Sequence, residues 1–507
     1  MSELFAQEPQ LDAADIQGNI LSGFHKNRQW LLGLSIDGVT APGNRTDPAV
    51  RAAREWIAAL APRIATMDRV AEHNRWFRQE HRRTGKEPVS EHVWTHVAFT
   101  YSGLVKLAGP AAEGFTHPPF RLGMAARSSF LGDPLDPAAP GHPRNWLVGG
   151  PASAIDILLI VAGDSPKAVS RAVTETLRGA PARVVYKEQG KVRTDSVAGL
   201  CMHGHEHFGF KDGISQPAVR GWFRLPNGEA VPVTHREAPL VQPGQFVFGY
   251  PLQHDRKPAE GVTLTLEAQG VPAWAKNGSF LAFRRLRQDV ALYRRTVAER
   301  ARELQVDPEW LGSRIVGRWQ SGAPVMRAPA GEDRELGADR LARNNFQYAN
   351  PGTPDGRPGS PPDPLGLTCP IAAHIRKVNP RDEATDTGSL AGTLTRRIIR
   401  RGIPYGEPLP PDGPDRGERG LLFLSYQTSL EDQFEFLQNN WMNRVAAPNP
   451  GGHDPLLGQN ALAEHRERAF LLGPGAEVKG LPDFVIPTGG AYLFSPSLTA
   501  LREVLGG

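Results

Sequence analysis

The sequence predicts an α+β protein made of two split β-α-β units with antiparallel sheets, and three observations predict it. Apolar runs of strand length and amphipathic stretches of helical length follow one another in the order strand, helix, strand, strand, helix, strand. A similar order begins again at residue 279. The 46 prolines and 54 glycines gather between those stretches, at 352–364, 408–417 and 448–452, where they mark long loops or insertions.

The elements follow in chain order. Residues 30–36 read as a strand. The stretch 47–63 has apolar residues at helical spacing behind an Asp47 cap, with Pro48 suited to the first turn. Residues 93–101 are a second strand, and 155–162 is a continuous apolar run suited to a buried third. Asp164-Ser165-Pro166 opens a helix to about residue 178, and 183–186 closes the unit. This order is that of a ferredoxin-like fold. In the second copy 279–285 reads as a strand and 288–304 as a helix. Then 421–426, 429–441 and 490–495 give strand, helix and strand. An insertion over about 306–415 interrupts it, far longer than an ordinary loop and therefore read as functional. The expected division is 1–220 and 221–507.

Composition narrows the function. A chain of 507 residues is too long for one small core. The net charge of +4 is spread along the sequence, and the arginine runs at 284–287 and 396–401 carry no ladder of stacking aromatics, so no nucleic-acid partner is expected. Two cysteines without a C-x-x-C exclude an iron–sulfur cluster or thiolate zinc site, and leave a single Cys201–Cys369 disulfide open. No segment has the roughly 20 apolar residues that span a bilayer. The start, Met1-Ser-Glu-Leu-Phe-Ala-Gln-Glu, has neither a basic beginning nor an apolar run, so a cytoplasmic protein is expected.

Three segments carry chemistry. In His207-Phe-Gly209-Phe210-Lys-Asp212-Gly213-Ile214-Ser215-Gln-Pro217, glycines flank a carboxylate, which lets the backbone turn tightly against a flat ligand. On its own, an Asp-Gly pair reads as a β-turn. In Cys369-Pro-Ile-Ala-Ala-His374-Ile-Arg376-Lys377 a histidine sits in a short apolar stretch, ordinarily a core residue. Arg397-Ile-Ile-Arg400-Arg-Gly-Ile-Pro-Tyr405-Gly406 reads alone as a strand end with surface arginines.

Together these segments resemble the dye-decolourising haem peroxidase family, and most closely its larger members, which include the fungal enzymes. Gly209-x-x-Asp212-Gly213 is similar to the family's G-x-x-D-G motif, His374 to its proximal haem ligand and Arg400 to its distal arginine. The resemblance extends over blocks at 15–21, 278–284, 420–427, 452–458 and 489–496, nearly the whole chain. It implies one haem b per chain, between the units or against the second. His374 would be its axial ligand, and Gly209, Phe210, Gly213, Ile214, Ser215, Arg376, Leu421 and Phe423 further contacts. It also implies hydrogen peroxide and bulky aromatic electron donors as partners. Asp212 would act as acid–base group, and Arg400 would stabilise developing negative charge. Leu421 and Phe423 share one strand face, either as a dry lid on the distal pocket or as core. Tyr405 and Trp441 match positions that carry electrons to the surface in some relatives. The hydrogen-bond acceptor behind His374 is sought among Glu431, Asp432 and Glu435.

Two other readings compete. His203-x-His205-x-His207 has alternating imidazoles that could bind zinc if they shared a strand face, but no downstream ligands complete the set, so a structural or haem-edge role is expected. A non-enzymatic haem carrier, or a deferrochelatase-like protein on the same scaffold, would have no use for the Asp212 and Arg400 pair.

Overall fold

The computed structural model describes residues 8–86, 88, 90–234, 239–254, 267–350, 361–410, 417–460, 468–473 and 475–507. The reading of the N-terminal start falls on residues 1–8, nearly all outside that set, and the loops at 352–364 and 408–417 lie largely outside it. Among the described residues no helix is long and apolar enough to cross a membrane.

The strands of the first half form at Arg28–Ser35 (β1), Trp94–Phe99 (β2), Ile157–Gly163 (β3) and Arg183–Lys191 (β4). All pairings are antiparallel, in the spatial order β2-β3-β1-β4 of a ferredoxin-like sheet. β4 runs five residues beyond the expected 183–186. Its polar end stays in register with β1 as far as Lys191 opposite Arg28, and Arg285 binds the Glu188 carboxylate there. The helix Pro48–Leu60 (α1) starts as predicted, with the Asp47 carboxylate accepting from the N–H groups of Ala49 and Val50. Ser165 caps the helix Pro166–Leu177 (α2) in the same way.

The second half repeats the order with Ser279–Gln288 (β5), two short pieces at Ile399–Arg400 (β6) and Ile403–Tyr405 (β7), Gly420–Gln427 (β8) and Val485–Ser495 (β9). β6 and β7 both pair with β8 and together fill the place of the unit's missing second strand. The helix Val290–Leu304 (α3) follows β5. The predicted helix after β8 forms over Leu430–Met442, with π-helical turns.

The two halves join into one nine-stranded sheet, β5-β9-β2-β3-β1-β4-β7-β8-β6, and β5 also pairs with β8, which closes a barrel. Its two seams are one residue pair each, Phe494 with Phe99 and Tyr405 with Gly190. Side chains alternate across the strands. Leu31, Ile160, Phe283, Leu422 and Tyr426 fill the barrel, whereas Leu32, Leu159 and Phe280 pack outward beneath helices such as α1. β3, covered on both faces, is apolar throughout, which is why 155–162 reads as an unbroken run.

Candidate active site

A cavity of about 1,740 Å³, open to solvent, lies outside the barrel against the outward face of β8. Leu421 and Phe423 point into it, while their neighbours Leu422 and Leu424 point into the barrel. The same strand thus serves as core on one face and pocket wall on the other.

The turn at 206–215 supplies one wall. Gly209 and Gly213 have φ of +103° and +71°, a left-handed backbone that other residues adopt with strain. The Glu206 carboxylate accepts from the N–H groups of Phe208 and Phe210, both at 2.8 Å, and so holds the turn closed from within. Phe210, Asp212, Gly213, Ile214 and Ser215 line the cavity. Gly209 does not; it serves the turn, and its Cα faces Gln320.

Arg400 reaches this turn from β6. Its Nη1 donates to Asp212 Oδ1 at 2.8 Å and its Nη2 to the Ser215 carbonyl at 3.1 Å. The Gln216 amide clamps the Arg400 backbone on both sides, donating to its carbonyl and accepting from its N–H at 3.1 Å each. Burial pushes the Asp212 carboxyl up, but the Arg400 guanidinium, the Gly213 N–H and the His374 ring outweigh it. The pKa falls below the usual carboxylate value.

His374 opens the short helix His374–Val378 (α4) and also lines the cavity. Its Nδ1 lies 2.7 Å from Asp454 Oδ2, an arrangement that places the ring proton on Nδ1 and leaves Nε2 as the free donor atom. Asp454 is fully buried and its other oxygen accepts from the N–H groups of Leu456 and Leu457. Burial raises its carboxyl, yet His374 and those N–H groups bring the net pKa below the ordinary value. Lys377, on the next position but two of α4, donates to the carbonyls of Arg444, Ala447 and Gly452 and pins the loop that delivers Asp454.

Several expectations are corrected. The partner of His374 is Asp454, not Glu431, Asp432 or Glu435. Those three pair with other side chains around the π-helical segment: His117, Arg396 and Arg127 respectively. Arg376 does not line the cavity. On a helix, positions two apart do not share a face, and Arg376 points into the insertion, where it binds Asp363 and Glu383. Neither Tyr405 nor Trp441 is at the surface. Tyr405 alternates into the barrel under Arg285, and Trp441 is fully buried, with Nε1 on Asp386. The three imidazoles at 203–207 diverge to Asn27, the Gln320 carbonyl and the Tyr405 carbonyl. Cys201 is exposed and Cys369 buried, both unpaired.

Sequence reading missed Asp454 and Glu206. Asp454 sits inside the 452–458 block, and that block was its signal. Glu206 is one of several carboxylates in its region, with no pattern to single it out.

Among the described residues no three histidine, cysteine or carboxylate side chains stand together as a metal-binding group. A single imidazole backed by a carboxylate, facing a large apolar cavity, suits a metal whose remaining ligands come from a macrocycle.

Comparison with known proteins agrees. Residues 15–194 match the family described as the DyP dimeric alpha+beta barrel domain, and 251–450 match the Dyp-type peroxidase C-terminal family. Peroxidase 2 of Mycetinis scorodonius is 30% identical over 98% of this chain and 88% of its own. A dye-decolorizing peroxidase of Auricularia auricula-judae is 30% identical over 97% of this chain and 86% of its own. The structure of an ancestral D-type dye decolorizing peroxidase superposes with a TM-score of 0.77 at 32% identity, covering 98% of this chain and all of the other. A deferrochelatase of Yersinia pestis matches only 40% of this chain and 38% of its own, at 28% identity. A haem-dependent fold, a full-length match and the paired residues of one cavity lead to the same place: this chain belongs to the dye-decolourising peroxidase family.

Proposed function

We propose that the chain carries one haem b, reduces hydrogen peroxide, and takes the electrons from bulky aromatic donors such as phenols and dyes. One observation carries this reading: Asp212 paired with Arg400, and His374 paired with Asp454, on the walls of a single apolar cavity. The residues fit the group. His374 Nε2 would hold the iron, and Phe210, Gly213, Ile214, Ser215, Leu421 and Phe423 would pack against the macrocycle. A haem bound there would supply an iron that holds the two oxidising equivalents of peroxide until electrons from the donor fill them.

The chain's own residues do the rest. Asp212, held ionised, takes the proton from the inner oxygen of the incoming peroxide and delivers it to the outer oxygen, which departs as water. Arg400 stays charged and stabilises the negative charge that grows on the separating oxygens. Asp454 draws the Nδ1 proton of His374 towards itself, makes Nε2 a stronger electron donor, and fixes the ring. Leu421 and Phe423 keep bulk water off the reacting oxygens.

A storage or iron-extracting protein would have no need of the Asp212–Arg400 pair. Two unpaired cysteines favour a reducing, cytoplasmic setting, and the reading calls for no nucleic-acid or membrane partner. The test is the purified protein supplied with haem and followed by absorbance. A Soret band, its change on adding one equivalent of peroxide, and bleaching of an anthraquinone dye are expected. A colourless protein ends the proposal, and a coloured one inert to peroxide makes it a carrier.

A further inference from the structure

Arg400 sits at the edge of the sheet, where half of its backbone has no strand to pair with. β6 ends the strand order, beside β8, and among the described residues no strand follows it. β7, by contrast, has β8 on one side and β4 on the other. In β6, Ile399 lies opposite Tyr426 and Arg400 opposite Ser425, and the Arg401 N–H donates to the Leu424 carbonyl. Along an antiparallel ladder alternate residues turn their N–H and C=O groups to the partner strand. Arg401 turns to β8, so the N–H and C=O of Arg400 point the other way, off the edge.

The side chain of Gln216 meets them there. Its amide nitrogen donates to the Arg400 carbonyl, and its amide oxygen accepts from the Arg400 N–H, at 3.1 Å each. One side chain thus does what a neighbouring strand would do. The Arg401 guanidinium also reaches the Arg400 carbonyl, at 3.3 Å, but the N–H is held by Gln216.

The place of Gln216 in the chain makes this contact more than an edge cap. Asp212 and Ser215, which hold the Arg400 guanidinium, belong to the same turn. Pro217 follows Gln216, and a residue before proline is confined to extended backbone. Ala218 and Val219 then enter a parallel ladder with Leu240 and Val241. Gln216 is therefore tied down on both sides. The turn grips Arg400 at its tip through Asp212 and Ser215, and at its root through Gln216. An arginine side chain is long and flexible, so a root free to rock carries the charged end out of line. A misplacement of about 1 Å in a positioned group can cost on the order of 10²-fold in rate.

We propose that Gln216 is a positioning residue for the peroxide reaction: its amide replaces the missing edge strand and so fixes where the Arg400 guanidinium stands. Gln216 does not border the main cavity and acts through Arg400. The inference rests on the role given to Arg400 above.

The experiment compares the parent holoenzyme with Gln216→Met, Arg400→Leu and the two combined. Gln216→Met keeps the length and loses both hydrogen bonds. Gln216→Asn, polar but one carbon too short to reach, should behave alike. In stopped flow each should slow the peroxide reaction about tenfold. In the Arg400→Leu background Gln216→Met should slow it no further than about twofold, because no guanidinium is left to misplace. Fluoride titrated into the resting enzyme gives the same comparison without turnover. Its affinity should fall about tenfold in Gln216→Met, and no further when Arg400 is already gone. Hydrogen exchange read by mass spectrometry should be faster at the Arg400 N–H in both Gln216 variants, with 420–427 unchanged. An equal loss in both backgrounds, an Arg400 N–H that exchanges as in the parent, or Gln216 variants that fail to fold or load haem would each overturn the positioning role. If Arg400→Leu is impaired and Gln216→Met is not, Gln216 alone falls. If Arg400→Leu keeps the parental rate and fluoride affinity, the reading of the guanidinium falls first and takes Gln216 with it.

Discussion

The cavity is served by two pairs of a carboxylate and a nitrogen base, alike in chemistry and unlike in access. Asp212 and Arg400 keep 36% and 30% of their side chains exposed, towards the cavity. Asp454 is sealed at 0%, and only the His374 ring, at 19%, emerges from it. Asp212 sits on a turn built on two left-handed glycines, and its oxygens face the cavity, where a small molecule can reach them. Asp454 spends its oxygens on one ring proton and two backbone N–H groups, and nothing else can reach them. An accessible carboxylate can trade protons with a substrate. A sealed one can only hold its partner still and enrich it. On the proposed mechanism the difference between moving a proton and holding one is therefore written in burial, not in residue type.

The strongest way to break this comparison is to remove what the sealed pair presents. His374→Ala should abolish the parental axial ligation, so that haem is lost or its spectrum changes outright. A variant with the parental Soret band would mean that another residue holds the cofactor. Next is Arg400→Leu. With the guanidinium gone the peroxide reaction should slow on the order of 10²- to 10³-fold, while haem binding stays intact. Stopped-flow absorbance measures both.

Asp212→Asn should slow the same step by about 10²-fold, and its pH behaviour sharpens the contrast. On the proposed mechanism the active form is the carboxylate, and its pKa is lowered, so activity should persist as pH falls and decline only below the reference value of about 3.9. In Arg400→Leu the burial that raises the Asp212 carboxyl is no longer opposed by its main counter-charge. The acid limb of the residual activity should then move upward. An acid limb that stays in place in this variant would detach Asp212 from the chemistry.

The sealed pair should respond more gently. Asp454→Asn keeps the shape and loses the charge, so haem affinity or turnover should fall by about 10- to 100-fold. The lowered Asp454 pKa also makes it a source of stability, present above the unfolded carboxylate range and lost as pH falls through the folded value. Acid unfolding followed by circular dichroism should therefore begin at higher pH in Asp454→Ala than in the parent. Identical acid transitions would mean that the His374–Asp454 pair contributes nothing to the fold.

What could be read from the sequence divides along the same physical line. Strands and helices were legible because burial imposes a period, and α1, with Asp47 and Pro48 at its start, formed where the pattern placed it. The barrel was not legible. Its seams rest on one residue pair each, and single pairs leave no pattern. β6 and β7 were read only as a strand end, because at two and three residues neither piece reaches the length at which a strand period shows. Asp212, Arg400 and His374 were legible through their motifs, and the structure brings all three to one cavity. Asp454 lies 80 residues from His374, a partnership that only the fold creates. Glu431, Asp432 and Glu435 are carboxylates of the right kind, but each turns to a partner of its own, His117, Arg396 and Arg127. Arg376 failed for a local reason, two positions along a helix from His374.

Trp441 yields the smallest expected effect. A tryptophan oxidises a bulky dye directly only where the dye can touch it, and this ring is fully buried. It packs with Leu437 and Met442, which line the cavity, so it stands one layer behind the wall, with Nε1 donating to Asp386 at 2.9 Å. Trp441→Phe removes that hydrogen bond and leaves unfilled volume, so thermal stability should fall by about 1–3 kcal/mol. The peroxide reaction and dye bleaching should both stay within about twofold of the parent, since neither Asp212 nor Arg400 touches the ring and charge-assisted contacts dominate their step. Selective loss of dye oxidation, with the peroxide step and stability unchanged, would show that electrons cross this buried ring. Burial would then no longer separate the residues that react from those that only support.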